Sequence, residues 1–186
     1  MESGAPVPAQ WTSVVSEVLI GTHALSKRIF ALGDQISSDY AGLNPLLIVV
    51  LKGSYMFASD LSRSVTVEHE LEFIRARSYV GTRSSGSVTI QGLDDVSLKG
   101  RHLIVIEDIV DTGLTLTNLY KSFEGQGAAS IKTCSLLEKE TTRRPESVPH
   151  IDYVAFKIPD KFVIGYGLDV DQRFRHLPFV GVFKQP

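Results

Sequence analysis

Leu103-Ile104-Val105-Ile106-Glu107-Asp108-Ile109-Val110-Asp111-Thr112-Gly113-Leu114-Thr115 is the most informative stretch of the chain. Its first four residues are apolar and largely β-branched. A short run of that kind, bounded by polar residues, reads as a strand buried on both faces. Thr115–Phe123 follows with Leu116, Leu119, Tyr120 and Phe123 at helical spacing, and Gly125 and Gly127 end it. Strand, tight turn and helix make one α/β unit. Leu46–Leu51, the turn Lys52-Gly53-Ser54 and the helical stretch Tyr55–Arg63 make another. Further apolar runs (Ile131–Leu137, Tyr153–Ile158, Phe162–Leu168, Phe179–Phe183) add strands, as do the loosely alternating Val67–Tyr79 and the short Val88–Ile90. From Ser13 to Ile36, Val14, Val18, Leu25, Ile29 and Leu32 predict one amphipathic helix, with Gly21-Thr22 as a point of interruption. Buried strands alternating with helices predict an α/β fold with a mainly parallel central sheet flanked by helices. Ligands of such sheets bind at the carboxyl ends of the strands.

Composition narrows the class. The chain has 186 residues, 43% hydrophobic and 22% charged, with 15 Gly and 8 Pro, so a single globular domain spanning 1–186 is expected. Collagen-like, coiled-coil and largely disordered readings are excluded. The net charge of −2 offers no basic field for nucleic acid or an anionic membrane. No apolar run approaches the roughly 20 residues of a membrane helix. Met1–Gln10 has no basic region of the secretory kind, and residues 1–11 read as a flexible lead-in to a soluble, cytoplasmic protein. Cys134 is the only cysteine, which excludes an internal disulfide and a cysteine-based zinc cluster. Its apolar surroundings make it a buried small hydrophobe.

The chemistry lies in residues 107–115. Asp111-Thr112-Gly113-Leu114-Thr115 turns into a helix, so free backbone amides, two hydroxyls and the helix dipole face an anion there. A nucleoside-triphosphate loop would carry lysine before the second hydroxyl residue. Leu114 stands there instead, and no Walker pattern occurs in the chain. Glu107, Asp108 and Asp111 add negative charge beside the anion cradle. A solvated loop with Asp111 as helix cap would account for each acid singly. Together, at a strand end, they suit a ligand that is anionic, polyhydroxylated and electron-poor at one carbon. A sugar phosphate meets all three conditions, with carboxylates accepting from vicinal hydroxyls, binding Mg²⁺ or stabilising a ribosyl cation.

Glu107–Thr115 resembles the signature of the type I phosphoribosyltransferases, which bind 5-phosphoribosyl-1-pyrophosphate. Further stretches resemble the hypoxanthine-guanine branch of that family, which serves purine salvage. They are Leu51-Lys52-Gly53-Ser54, Phe73-Ile74-Arg75 with Ser78-Tyr79, Leu136-Leu137-Glu138-Lys139, and Ile158–Asp169 with Phe174-Arg175. They occur in order over residues 46–183. The resemblance implies the type I fold, with a small hood drawn from parts of 1–45 and from 150–186, and a mobile lid loop at about 78–89.

It also implies a site. Asp111–Thr115 would hold the 5′-phosphate, Glu107 and Asp108 the ribose hydroxyls directly or through Mg²⁺, and Asp111 would exchange the proton at purine N7. Lys52 and Gly53 would bind pyrophosphate after a cis peptide bond at Leu51–Lys52, with Arg175 clamping it and Ser78-Tyr79 closing over it. Lys139 would donate to a purine O6, Phe162 would stack on the base, and the Val163 carbonyl would bind the base edge. Lys161 would lie across Asp108–Asp111, and Asp169 would ligate Mg²⁺ near base and pyrophosphate. The implied partners are small molecules, in a homodimer or homotetramer. Lys139 does not separate xanthine from guanine, so a xanthine-preferring enzyme stays open. So does a regulator that senses phosphoribosyl pyrophosphate and binds RNA, though the near-neutral charge speaks against it.

Overall fold

A computed structural model describes residues 6–78, 88–140 and 148–184. Most of the lid expected at 78–89, Tyr79 included, falls outside the described residues.

The main sheet contains β2 (Leu46–Val50), β3 (Glu70–Ser78), β4 (Val88–Gln91), β5 (His102–Val110), β6 (Ser130–Lys139) and β7 (Tyr153–Ile158), in the order β4-β3-β2-β5-β6-β7. All neighbours are parallel except β3 and β4. The continuous apolar run of β2 follows from having both faces covered. Leu47 and Val49 face a core shared with α1 (Thr22–Asp39) and α2 (Tyr55–Ser64). Leu46, Ile48 and Val50 face a core built with Leu116, Leu119 and Phe123 of α3 (Leu114–Gly125). Cys134 is fully buried, as its surroundings predict.

The chain leaves β2 toward β3 on one side and resumes at β5 on the other. The order therefore reverses between β2 and β5, and a crevice opens above their carboxyl ends. A second, three-stranded antiparallel sheet pairs β1 (Val15–Ile20), β9 (Val180–Phe183) and β8 (Val163–Ile164) in the order β1-β9-β8. It draws on both segments from which the hood was expected, while β7 of the second segment joins the main sheet.

Two expectations change. Ser13–Ile36 is not one helix, because Val15–Ile20 is strand β1, held by β9 with register shifts. The apolar residues along β1 pack into two different cores, and that mimics helical spacing. Glu107 and Asp108, expected just beyond a strand ending at Ile106, lie within it. Strand β5 continues through Val110, because β6 pairs with it as far as Val110↔Glu138.

Candidate active site

A cavity of about 360 Å³ sits at the switch point between β2 and β5. Lys52, Gly53, Glu107, Asp108, Asp169 and Arg175 all line it, as does the whole turn Asp111–Thr115. Four separate sequence stretches thus converge there.

The turn is shaped by Gly113, the residue before α3, whose φ of 75° is left-handed and costs glycine little. No side chain caps α3. The first amides of the helix have no acceptor within it, so they are free to meet an anion, with the helix dipole behind them. Thr112 and Thr115 flank this end, and Thr115 is exposed. Leu114 is 60% exposed at the cavity wall.

The carboxylates at the end of β5 are deeply placed. Glu107 is 6% exposed, and burial, then the charge of Asp108, push its carboxyl well above the usual range. Burial pushes Asp108 up to about 6, against the pull of the Ile109 amide, which donates to Asp108 Oδ1 at 2.8 Å, and the charge of Arg175. Gly53 lies so close to this carboxylate that a Cβ there would overlap it. The peptide bond Leu51–Lys52 is cis.

Arg175 completes the far wall. Its Nη2 lies 2.8 Å from Asp169 Oδ1, and its Nη1 donates to the Gly167 carbonyl at 2.7 Å. Gln172, which the sequence reading did not single out, accepts from Lys52 Nζ at 2.9 Å and from Arg175 Nη2 at 3.3 Å.

The residues expected around a base lie to one side. Lys139 ends β6, with Nζ 3.0 Å from Asp160 and 3.9 Å from Asp111. Phe162 is 47% exposed and meets the Phe183 ring edge-on at 5.8 Å. Val163 begins β8, paired with Val182. Lys161 departs from expectation. It does not lie across Asp108–Asp111, because its ammonium donates to Glu17 Oε2 on β1 at 2.7 Å. Ser78 ends β3, opposite Val88.

Among the described residues no group of three or more His, Cys, Asp or Glu could hold a metal ion. Glu107, Asp108 and Asp169 are oxygen donors on the cavity wall. Mg²⁺ is usually held by one or two carboxylates together with substrate phosphates rather than by a protein cage. The donor set fits Mg²⁺ of that kind.

Residues 19–171 match the phosphoribosyl transferase domain family. The chain belongs to that family of transferases. It is 41% identical over 172 residues to the hypoxanthine-guanine phosphoribosyltransferase of Streptococcus pneumoniae, covering 92% of this chain and 94% of that one. It is 36% identical to the hypoxanthine-guanine-xanthine phosphoribosyltransferase of Tritrichomonas foetus, covering 92% and 93%. The crystal structure of a hypoxanthine phosphoribosyltransferase from Staphylococcus aureus superposes with a TM-score of 0.87 at 33% identity, covering 96% and 97%. Within the family the chain is of the hypoxanthine-guanine type, and its fold is that of the type I phosphoribosyltransferases. No helix among the described residues is long and apolar enough to cross a membrane.

Proposed function

We propose that the cavity binds 5-phosphoribosyl-1-pyrophosphate and Mg²⁺, and transfers the ribose 5-phosphate group to hypoxanthine or guanine. IMP or GMP and pyrophosphate are the products. The observation that carries this reading is the convergence of an uncapped helix end, one buried and one half-buried carboxylate and two cations at one switch point.

The amides of the Asp111–Thr115 turn and the hydroxyls of Thr112 and Thr115 bind the 5′-phosphate, and Gly113 lets it approach the backbone. Glu107 and Asp108 accept from the ribose hydroxyls and, as ribosyl bond cleavage proceeds, face the positive charge that develops at C1. Lys52, the backbone at Gly53, and Arg175 hold the pyrophosphate, with the guanidinium suited to a bidentate grip. Asp111 takes the proton from purine N7 as the new bond forms, and Lys139 donates to the purine O6. An adenine amino group would present a donor to that ammonium and be rejected. Phe162 stacks on the base, with the Val163 carbonyl at its edge. Lys161, paired with Glu17, serves as a tie between the base-binding segment and β1. Glu107, Asp108 and Asp169 are the residues that would hold Mg²⁺, which when bound neutralises charge on the diphosphate.

The family resemblance supports a homodimer or homotetramer as the working assembly, and the cytoplasm as its setting. Product formation from phosphoribosyl pyrophosphate tests the activity, with hypoxanthine, guanine, xanthine, adenine and uracil each supplied with and without Mg²⁺. Turnover confined to 6-oxopurines and dependent on Mg²⁺ is the expected result. Salt-dependent RNA binding without turnover would overturn it. The relative kcat/KM of xanthine decides whether the enzyme shares the broader range named for the Tritrichomonas relative.

A further inference from the structure

Val170 and Arg173 exchange two backbone hydrogen bonds of 3.2 and 3.0 Å around a two-residue turn, Asp171-Gln172. Both central residues are left-handed, with φ of 51° and 63°. Turns of this kind ordinarily place glycine at the second position, since a side chain there is strained. Gln172 nonetheless carries a side chain, and the surroundings give it a task. Its carboxamide oxygen accepts from Lys52 Nζ at 2.9 Å and from Arg175 Nη2 at 3.3 Å, bridging two cations from separate parts of the chain. Its backbone amide donates to Asp169 Oδ2 at 2.8 Å.

The donor inventory of Arg175 sharpens the point. A guanidinium has five N–H groups. One on Nη1 goes to the Gly167 carbonyl and one on Nη2 to Gln172 Oε1, while Nη2 also lies 2.8 Å from Asp169 Oδ1 in an ion pair. Nη2 therefore already faces two acceptors, Asp169 and Gln172. For Arg175 to grip a phosphate with two parallel bonds, one of those acceptors must let go. Asp169 is charged and closer, at 2.8 Å, whereas Gln172 is neutral, longer and exposed. Gln172 is the one that yields.

We propose that Gln172 is a further binding residue of the diphosphate half-site: when no anion is bound, its carboxamide oxygen takes the place of a diphosphate oxygen between Lys52 and Arg175, and it withdraws as the anion enters. The inference rests on the assignment of Lys52 and Arg175 to pyrophosphate made above. Gln172 thereby sets how tightly pyrophosphate is held and how readily it leaves, because its oxygen is ready to replace the departing one.

Gln172→Gly tests this without endangering the fold, since glycine relieves the left-handed strain and keeps the turn. Binding of inorganic pyrophosphate with Mg²⁺, measured by calorimetry, should tighten about fivefold, the worth of one net hydrogen bond. KM for phosphoribosyl pyrophosphate should fall by a similar factor, and KM for the purine should stay the same. In Gln172→Glu, a charged acceptor competes more strongly, so pyrophosphate binding should weaken by about tenfold. If wild-type protein binds pyrophosphate and Gln172→Gly binds it equally or more weakly, the inference fails and the assignment of the half-site stands. If wild-type protein neither binds pyrophosphate nor turns over, both fall.

Discussion

Glu107 is 6% exposed and Phe162 is 47% exposed, although both are assigned to one pair of reacting substrates. The contrast runs through the whole cleft. The phosphate-facing half is made of chain with almost no freedom: β5 extended to Val110, Gly53 wedged against Asp108, and the amides opening α3. The purine-facing half is made of side chains engaged elsewhere, with Lys139 on Asp160 and Phe162 against Phe183. The backbone of the first half is prebuilt and only the exposed Gln172 side chain has to yield there, whereas the second must release its main side-chain contacts before it can take up a base. The reason is chemical. A phosphate is recognised by fixed amides and charges, and disorder there would cost affinity. A flat base that must enter and leave needs an open platform.

The largest effect should come from the residue where the halves meet. Asp111 belongs to the phosphate turn and lies 3.9 Å from Lys139 of the purine side. Asp111→Asn keeps the shape and removes the base, so kcat should fall on the order of 10²-fold or more, with KM for phosphoribosyl pyrophosphate little changed. Steady-state kinetics on a variant with wild-type thermal unfolding checks this. Turnover close to wild type would take Asp111 out of its role.

The prebuilt half should also reveal itself as a stability cost. Asp108 has a native pKa of about 6 against an ordinary 3.8, so the folded protein binds that proton more tightly than the unfolded chain does. Its contribution to stability is complete at pH below 3.8 and is lost as pH rises through about 6. Glu107 is shifted in the same direction and acts with the same sign. Asp108→Asn should therefore raise stability at pH 7.5 on the order of 2 kcal/mol and flatten the pH dependence between 4 and 6.5. Urea unfolding across that range is the measurement. An unchanged slope would place the strain elsewhere than Asp108.

The same contrast governs what the sequence discloses. Strand β2 is readable because Leu46–Val50 is apolar throughout, and the turn Asp111–Thr115 because each residue does local work. Strand β1 is misread since what makes Val15–Ile20 extended is β9, which lies more than 150 residues away in the chain. Glu107 and Asp108 look like loop acids for a similar reason: their strand is prolonged by β6, and no local pattern in 107–110 says so. Lys161 is placed by Glu17, and Gln172 by Lys52 and Arg175, all distant in sequence. Gln172 carries no composition signal at all, because its turn lacks the glycine that would mark it. Backbone-built parts of the site are legible, and parts set by long-range side-chain partners are not.

The open half should respond to loss of its platform without disturbing the other. Phe162→Ala removes a ring that the fold itself scarcely uses, given its exposure. KM for hypoxanthine should rise about tenfold, in the range of one lost aromatic stack on a base. KM for phosphoribosyl pyrophosphate should hold within about twofold. Both constants come from one two-substrate kinetic grid. A matching rise in the two would mean that the halves are not separately built.

Whether the halves communicate is tested by the smallest change. Tyr166 follows β8, on the purine side, and its hydroxyl donates to Asp60 of α2, the helix that begins two residues beyond Gly53. The ring is 7% exposed, so burial and the Asp60 bond raise the phenol pKa and keep the hydroxyl a donor. This bond ties the base-binding segment to the helix behind the pyrophosphate loop. Asp60 also pairs with Arg63 and is 40% exposed, so water takes the place of the lost donor in Tyr166→Phe. The cost should be about 1 kcal/mol of stability, with an unchanged denaturant slope. Both KM values should stay within about twofold if the bond only braces the fold. If they instead rise together while stability drops by no more than that, Asp60 and Tyr166 set the spacing between the two halves, and the purine side is less independent than its exposure implies.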